Sequence, residues 1–174
     1  AMAVNTMGIV HYVHEVLPIM EAQKTPAHLM CTASIAGLRA GMAVNPPYFA
    51  SKHAAVSVAE SVKAEVESTG CDIGVSVFCP MYVATDSHNC EKHRPARFWD
   101  ASDPFYRSEE YIKAREAFRD NVTGGMPLDN IGKRLFQAIE DNQMYIVTHT
   151  QTIPYIEERH RAIEADAKKE LELS

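Results

Sequence analysis

The chain has 174 residues, a formal net charge of −6, 46% hydrophobic residues and 23% charged residues. This composition predicts a globular protein with one domain over residues 1–174. The negative charge argues against nucleic acid as a partner, because phosphate binding requires a basic face. No apolar run approaches the roughly 20 residues of a membrane helix, so we expect no membrane association and a cytoplasmic location. The four cysteines form no CxxC pair, which favours reduced thiols over disulfides.

The first half of the chain alternates helical and strand patterns. Residues 3–23 carry apolar side chains at helical spacing, with Pro18 expected to kink the helix or end it late. The short apolar run 28–34 predicts a buried strand. Two prolines then precede a helical segment over residues 47–69, which Gly70 closes.

The second half continues the alternation after a long irregular stretch. Residues 72–79 predict a second buried strand, and residues 81–107 show no regular period and read as a loop. Beyond the loop we predict helices at 108–122, 128–142 and 154–172 and a third strand at 144–149. Helices that alternate with apolar strands are typical of right-handed βαβ units and therefore of a parallel sheet.

One stretch, SIAGLRAGMAVNPPYFASK at residues 34–52, carries candidate chemistry. Ser34 ends the first predicted strand, where parallel sheets form ligand sites, and Tyr48 and Lys52 share one helix face. A lysine ammonium favours the phenolate of a nearby tyrosine, which can then exchange a proton with a substrate oxygen held by a serine hydroxyl. This would suit the interconversion of an alcohol and a ketone. YxxxK is also common in amphipathic helices, so the pair alone leaves simple packing open.

The order Ser-Ile-Ala-Gly, then Tyr-Phe-Ala-Ser-Lys, between an apolar strand and an alanine-rich helix resembles the short-chain dehydrogenase/reductase family. The resemblance implies an α/β fold, the C-terminal portion of a Rossmann-like doubly wound parallel sheet, with strands near 28–34, 72–79 and 144–149. It also implies an oxidoreductase that uses NAD or NADP. The implied substrate is a small, apolar secondary alcohol or ketone.

The same resemblance assigns catalytic roles. Ser34, Tyr48 and Lys52 match the family's catalytic serine, tyrosine and lysine, and Tyr48 and Lys52 also match cofactor-binding positions. Lys52 would hold the nicotinamide ribose. Asn5, in the stretch AVNTMG, matches the asparagine that completes the catalytic group through a water-linked proton relay.

The stretch CPMYVAT at residues 79–85 is similar to the family's segment after its sixth strand. The resemblance implies that Pro80, Val83 and Thr85 flank the nicotinamide, with Thr85 bonding its carboxamide or a phosphate. Met81 stands where glycine is usual in the family, and its side chain could crowd the cofactor or the substrate.

Aromatic residues of the loop offer a substrate pocket. The residues expected to wall it are Met81, Tyr82, Phe98, Trp99 and Phe105, and the family's corresponding segment forms a lid. The alternative is that these aromatics only pack the loop onto the core. The loop also contains HNCEKH at residues 88–93, but this run lacks the spacing of a structural zinc site, so we expect no metal.

The family's glycine-rich phosphate-binding turn has no counterpart in the chain. We therefore expect residues 1–174 to be a partial Rossmann-like domain that lacks its N-terminal βαβ half and binds a dinucleotide poorly by itself. A fragment of a longer enzyme is favoured over a natural truncation, because a truncated sheet exposes an apolar edge strand. Two other functions stay open. One is an inactive remnant that serves as an interaction module, and the other is epimerase or dehydratase chemistry on the same scaffold.

Small side chains mark the helix at 47–69. They are Ala50, Ala54, Ala55, Ala59 and Ala64. High helix propensity explains them in part, and close packing against a partner is the sharper interpretation. The family resemblance implies a homo-dimer or homo-tetramer formed through the helices at 3–23 and 47–69.

Overall fold

The computed structural model describes residues 1–41, 45–100 and 102–171. Its sheet has three parallel strands, β1 (Ala27–Thr32), β2 (Ile73–Cys79) and β3 (Tyr145–Val147), in the order β1-β2-β3. Ala27 lies opposite Ile73, and Val77 lies opposite Tyr145. The predicted α/β class with a parallel sheet is confirmed.

Five α-helices accompany the sheet in the described part of the chain. They are α1 (Met7–Gln23), α2 (Pro46–Thr69), α3 (Glu109–Thr123), α4 (Leu128–Glu140) and α5 (Ile153–Leu171). A π-helical turn, Met2–Thr6, leads into α1. Pro18 lies inside α1, and the helix continues past it to Gln23 before Lys24 adopts a left-handed conformation. Proline removes only one helical hydrogen bond, so the neighbouring bonds and packing maintain the helix.

The core lies between the sheet and α2. Leu29, Val75 and Val77 of the strands are fully or almost fully buried, as are Ala55 and Ala59 of α2. The small side chains at these two positions let the helix pack closely on the strands. Core packing therefore explains two of the five alanines, whereas Ala50 and Ala64 are exposed.

The chain divides into two compact units, one formed by Ala1–Met81 with Arg134–Ser174 and the other by Tyr82–Lys133. The single domain over residues 1–174 stays a prediction. Within the second unit, the described residues of the segment predicted as a loop include short stretches of 3-10 helix. These are Ser87–His93, Ala96–Phe98 and Pro104–Arg107.

All four cysteines are free thiols in the structure. Cys31 and Cys79 are buried, and burial raises the pKa of Cys31 to about 11 and that of Cys79 to about 12. Cys90 is exposed. Among the helices within the described ranges, none has the length and apolar character needed to cross a membrane.

Candidate active site

Ser34 lies just beyond β1, at the start of a 3-10 turn formed by Ile35–Gly37. Its backbone is extended and its side chain is 8% exposed. The Ser34 Oγ accepts a hydrogen bond from Ala36 N at 3.2 Å and donates to Pro80 O at 3.4 Å. The second bond is much longer than an ordinary hydroxyl bond of about 2.8 Å, so the hydroxyl can rotate toward a ligand at little energetic cost.

Gly37 allows this turn to pack closely against α2. A Cβ at position 37 would lie 2.5 Å from Lys52 O and 2.8 Å from Val56 Cγ2. Only glycine permits this approach, because the first contact is with backbone that cannot move aside. Gly37 thereby brings the turn that carries Ser34 directly against the helix that carries Lys52.

The beginning of α2 presents Tyr48 and Lys52 on one face. Asn45 precedes the helix in the left-handed conformation, with φ of 63°, and its carbonyl accepts from Tyr48 N at 3.1 Å. The Lys52 Nζ lies 5.7 Å from the centroid of the Tyr48 ring and donates to Thr32 O at 3.3 Å. Burial lowers the pKa of Lys52 below its ordinary value. The end of β1 thus holds the lysine beside the tyrosine.

Asn5 reaches α2 through a serine. Its Nδ2 donates to Ser51 Oγ at 3.1 Å, and Ser51 Oγ donates to Tyr48 O at 2.8 Å. Thr6 Oγ1 also donates, at 3.3 Å, to Ser51 O. Sequence reasoning missed Ser51 and Thr6. The position of Ser51 between Tyr48 and Lys52 offered a signal, since a serine in a helix often bonds a carbonyl of the preceding turn.

The residues after β2 are tied to the same end of the sheet. Pro80 O accepts from Ile35 N at 2.9 Å, in addition to its bond from Ser34. Met81 N lies 3.4 Å from Thr148 Oγ1 and donates to it. Hydrogen bonds therefore connect the segment that follows β2 to the segments that follow β1 and β3.

Val83 and Thr85 belong to the second unit. Val83 forms a parallel bridge with Met126. Thr85 is exposed, and its hydroxyl donates to Ser87 Oγ at 3.0 Å and accepts from Ser87 N at 3.3 Å. Their roles toward a cofactor stay predictions.

The aromatic residues of the second unit form a cluster. Trp99 and Tyr106 have ring centroids 4.8 Å apart, and Phe105 and Tyr111 have centroids 5.2 Å apart. The Arg94 guanidinium lies 5.0 Å from the Trp99 ring and 4.9 Å from the Tyr106 ring. This packing keeps the loop compact, and it is compatible with both interpretations of the aromatics.

A cavity of about 480 Å³ in this unit is lined by Trp99 and by charged side chains that include Arg94 and Arg115. Phe98 is 62% exposed. The rings of Tyr82 and Phe118 pack edge to face, with centroids 6.4 Å apart. Substrate binding by Met81, Tyr82, Phe98, Trp99 and Phe105 stays a prediction.

The run at 88–93 adopts a 3-10 helix within Ser87–His93. Its Glu91 forms ion pairs with Arg94 at 3.5 Å and Arg115 at 3.6 Å. Over the residues that the structure describes, no group of three or more His, Cys, Asp or Glu side chains is placed to hold a metal ion.

Comparison with known proteins identifies the family. The sequence model described as short chain dehydrogenase matches residues 1–95, more than half of the chain. The chain belongs to the short-chain dehydrogenase/reductase family. The parallel α/β architecture that the resemblance implied is confirmed as well.

Its relatives include a CLA biosynthesis dehydrogenase/reductase from Lactiplantibacillus plantarum, 40% identical over 99% of this chain and 60% of the relative. A C alpha-dehydrogenase from Sphingobium sp. is 26% identical over 92% of this chain and 50% of the relative. A short chain dehydrogenase/reductase from Burkholderia phymatum, solved in complex with NAD, superposes with a TM-score of 0.85 and 31% identity. That alignment covers 95% of this chain and 58% of the other. The chain thus spans between half and three fifths of the length of these proteins.

Proposed function

We propose that this member of the family is an NAD(P)-dependent oxidoreductase that interconverts a small, apolar secondary alcohol and the corresponding ketone. The observation that carries the proposal is the position of the Lys52 ammonium, 5.7 Å from the Tyr48 ring at the end of β1. Two relatives, a dehydrogenase/reductase at 40% identity and a family member solved with NAD at 31% identity, support the same reaction class.

The donor set fits the nicotinamide end of such a cofactor. Lys52 Nζ carries three N–H donors, and within the described residues it donates to Thr32 O alone. The remaining donors suit the hydroxyls of the nicotinamide ribose. Pro80, Val83 and Thr85 are assigned to the nicotinamide on the resemblance of residues 79–85, and the bound nicotinamide would supply or accept the hydride.

The chain's own residues would move the proton. The Tyr48 phenol gives a proton to the ketone oxygen in reduction and takes it from the alcohol in oxidation. The Lys52 ammonium stabilises the phenolate that forms, because opposite charges attract strongly in a partly buried site. The Ser34 hydroxyl, turned away from Pro80 O, donates a hydrogen bond to the same oxygen.

Asn5 would act on this centre through Ser51. The hydrogen bonds from Asn5 to Ser51 and from Ser51 to Tyr48 O fix the π-helical turn against the first turn of α2. A water held by the Asn5 carbonyl oxygen would continue the proton path toward Lys52. Asn5, Ser34, Tyr48 and Lys52 are therefore the proposed catalytic group.

Tyr48→Phe tests the proposal on the protein as its gene encodes it. We expect alcohol oxidation to fall about 100- to 10,000-fold, the range that general acid–base catalysis supplies. Binding of reduced nicotinamide cofactor, followed by its fluorescence, should persist, since the ring and Lys52 remain.

Tyr12→Phe is the matched control, because Tyr12 is a partly exposed tyrosine on α1. This variant should retain wild-type activity. Full activity in Tyr48→Phe would refute the role of Tyr48, and the absence of cofactor binding in the wild-type protein would refute the proposed reaction class.

We also propose that the protein forms a homo-dimer or homo-tetramer, in which the helices predicted at 3–23 and 47–69 form the contact between subunits. Exposed apolar side chains on α1 support this, including Ile19 at 58% exposure. Ile19→Glu should shift the sedimentation coefficient toward that of a monomer. Ile163→Glu on α5, another exposed isoleucine, is the matched control, and an unchanged distribution in Ile19→Glu would contradict the assignment of α1.

A further inference from the structure

Arg39 carries a guanidinium group for which the described part of the chain provides no acceptor. Its Cζ lies 4.3 Å from the centroid of the Tyr155 ring, so the group stacks on an aromatic face. Its Nε is buried and has no hydrogen-bond partner, and no ion pair of this side chain occurs within residues 1–41, 45–100 and 102–171. Buried polar groups normally have partners, so the buried Nε–H indicates an acceptor from outside the chain.

The pair lies at the edge of the sheet where the strands end. Arg39 follows the 3-10 turn that begins at Ser34, and Arg39 N donates to Ile35 O at 3.2 Å. Tyr155 lies in the first turn of α5, which follows β3. The carboxyl ends of parallel strands share one edge, and ligands of open α/β sheets bind there. Arg39 therefore belongs to the same edge as the proposed catalytic serine.

The geometry of the side chain selects the type of ligand. A guanidinium is always charged and presents its N–H donors as a planar fork, which matches the two oxygens of a carboxylate. Stacking on Tyr155 fixes the plane of that fork and reduces the entropy lost on binding. An acid on the same helix does not neutralise it, because Glu157 pairs with Arg161 at 3.7 Å.

We propose that Arg39 binds a carboxylate of the substrate, so that the protein oxidises hydroxy acids and reduces keto acids in preference to neutral alcohols and ketones. The proposal rests on the proposed oxidoreductase function and adds a carboxylate to the otherwise apolar substrate proposed above. The apolar part of the substrate would then lie between the carboxylate at Arg39 and the carbinol carbon near Ser34 and Tyr48.

Kinetics on the gene-encoded protein test this directly. A series of straight-chain hydroxy acids with a secondary hydroxyl is compared with the methyl ester of each acid. For Arg39→Met we expect KM for the best acid to rise about 10- to 100-fold with little change in kcat. The reason is that the variant loses a charge-assisted hydrogen bond that is equally strong in the ground state and in the transition state. The kinetics of Arg39→Met with the methyl esters should equal those of the wild type. Arg39→Lys should restore part of the affinity that Arg39→Met loses. Arg161→Met is the matched control.

A binding measurement keeps this proposal separate from the proposed function. Calorimetric titrations use hexanoate, hexanol and inorganic phosphate on wild-type protein and on Arg39→Met, with melting temperatures recorded for both. Hexanoate should bind the wild type and lose about 10- to 100-fold in affinity in the variant, while hexanol should be unaffected.

Equal hexanoate binding in both proteins, or equal wild-type use of acid and ester, would overturn the role of Arg39 even if alcohols are oxidised. Arg39-dependent binding of phosphate without hexanoate would also overturn it. If no nicotinamide-dependent activity is found, the proposed function fails, and the hexanoate titration still decides what Arg39 binds.

Discussion

The Asn5 side-chain amide donates a 3.1 Å hydrogen bond to the hydroxyl of Ser51, which is fully buried. That hydroxyl donates onward to Tyr48 O. One small side chain thus joins the π-helical turn before α1 to the first turn of α2, and it does so within the group of residues proposed to be catalytic.

Ser51→Ala should lower the free energy of unfolding by about 1–3 kcal/mol, because Asn5 Nδ2 loses its acceptor and Tyr48 O loses a donor in a buried place. Urea unfolding measures this change. Ser57→Ala is the matched control, since Ser57 is exposed on the same helix, and it should change stability by less than about 0.5 kcal/mol. Equal effects of the two substitutions would show that the Ser51 bridge contributes nothing.

Gly37→Ala should both destabilise the protein and lower its activity. The added Cβ would meet Lys52 O at 2.5 Å, so the turn must separate from α2, at a free-energy cost of about 1–3 kcal/mol. Gly132→Ala is the matched control. Gly132 lies inside α4 with open space around its Cα, so alanine should stabilise the helix by up to about 1 kcal/mol. Unfolding midpoints and initial rates check both variants, and a neutral Gly37→Ala would contradict the close approach.

Tyr145→Phe should alter stability at alkaline pH. Tyr145 Oη donates to Glu60 Oε1 at 2.6 Å, and this bond together with burial raises the pKa of Tyr145 to about 12. In the unfolded chain a tyrosine titrates near pH 10, so the unfolded state loses its proton first. The stabilisation is therefore complete below about pH 10 and disappears as the pH rises to about 12.

Because Tyr145 is solvent-accessible, the loss should not exceed about 1 kcal/mol. Urea midpoints measured across that pH range should decline more for wild type than for Tyr145→Phe. The control is Tyr12→Phe, which should follow the wild-type curve, and parallel curves for wild type and Tyr145→Phe would refute the prediction.

His28→Gln should alter stability on the acid side. Burial lowers the pKa of His28, whose Nε2 lies 2.7 Å from Ser76 Oγ. An unfolded histidine titrates near pH 6.5, so the unfolded state binds the proton first and the folded state loses stability as the pH falls below about 6.5. His149, whose pKa burial also lowers, contributes in the same direction.

The unfolding free energy of His28→Gln should therefore depend less on pH between about 7.5 and 5.5 than that of wild type. Denaturant titrations at several pH values measure the slope. His11→Gln serves as the matched control because His11 is exposed on α1. If His28→Gln and His11→Gln give the same slope, His28 is not the source of the effect.

Much of the fold was predictable because its signals are local. Apolar runs identified all three strands, and the prolines before Tyr48 and the glycine at position 70 delimited α2. The pairing of Tyr48 with Lys52 follows from helix periodicity alone. The first strand, predicted to end at Ser34, ends at Thr32 instead. The reason is that the Ser34 side chain caps the 3-10 turn that follows.

The parts that escaped prediction depend on distant contacts or on backbone detail. Arg39 meets Tyr155 of the last helix, and no local pattern encodes that contact. Ser51 gains its role from the exact position of Asn5 in a π-helical turn. The 3-10 helices of residues 87–107 are too short to impose a hydrophobic period.

The distribution of thiols has a practical consequence for following the protein in solution. Thiolates are the species that alkylating reagents attack, and the high pKa values of buried Cys31 and Cys79 keep both as thiols near neutral pH. A maleimide dye should therefore react at exposed Cys90 before it reacts at buried Cys31 or Cys79. Cys90 thus offers an attachment point for a fluorophore inside the unit Tyr82–Lys133 that leaves Asn5, Ser34, Tyr48 and Lys52 unaltered.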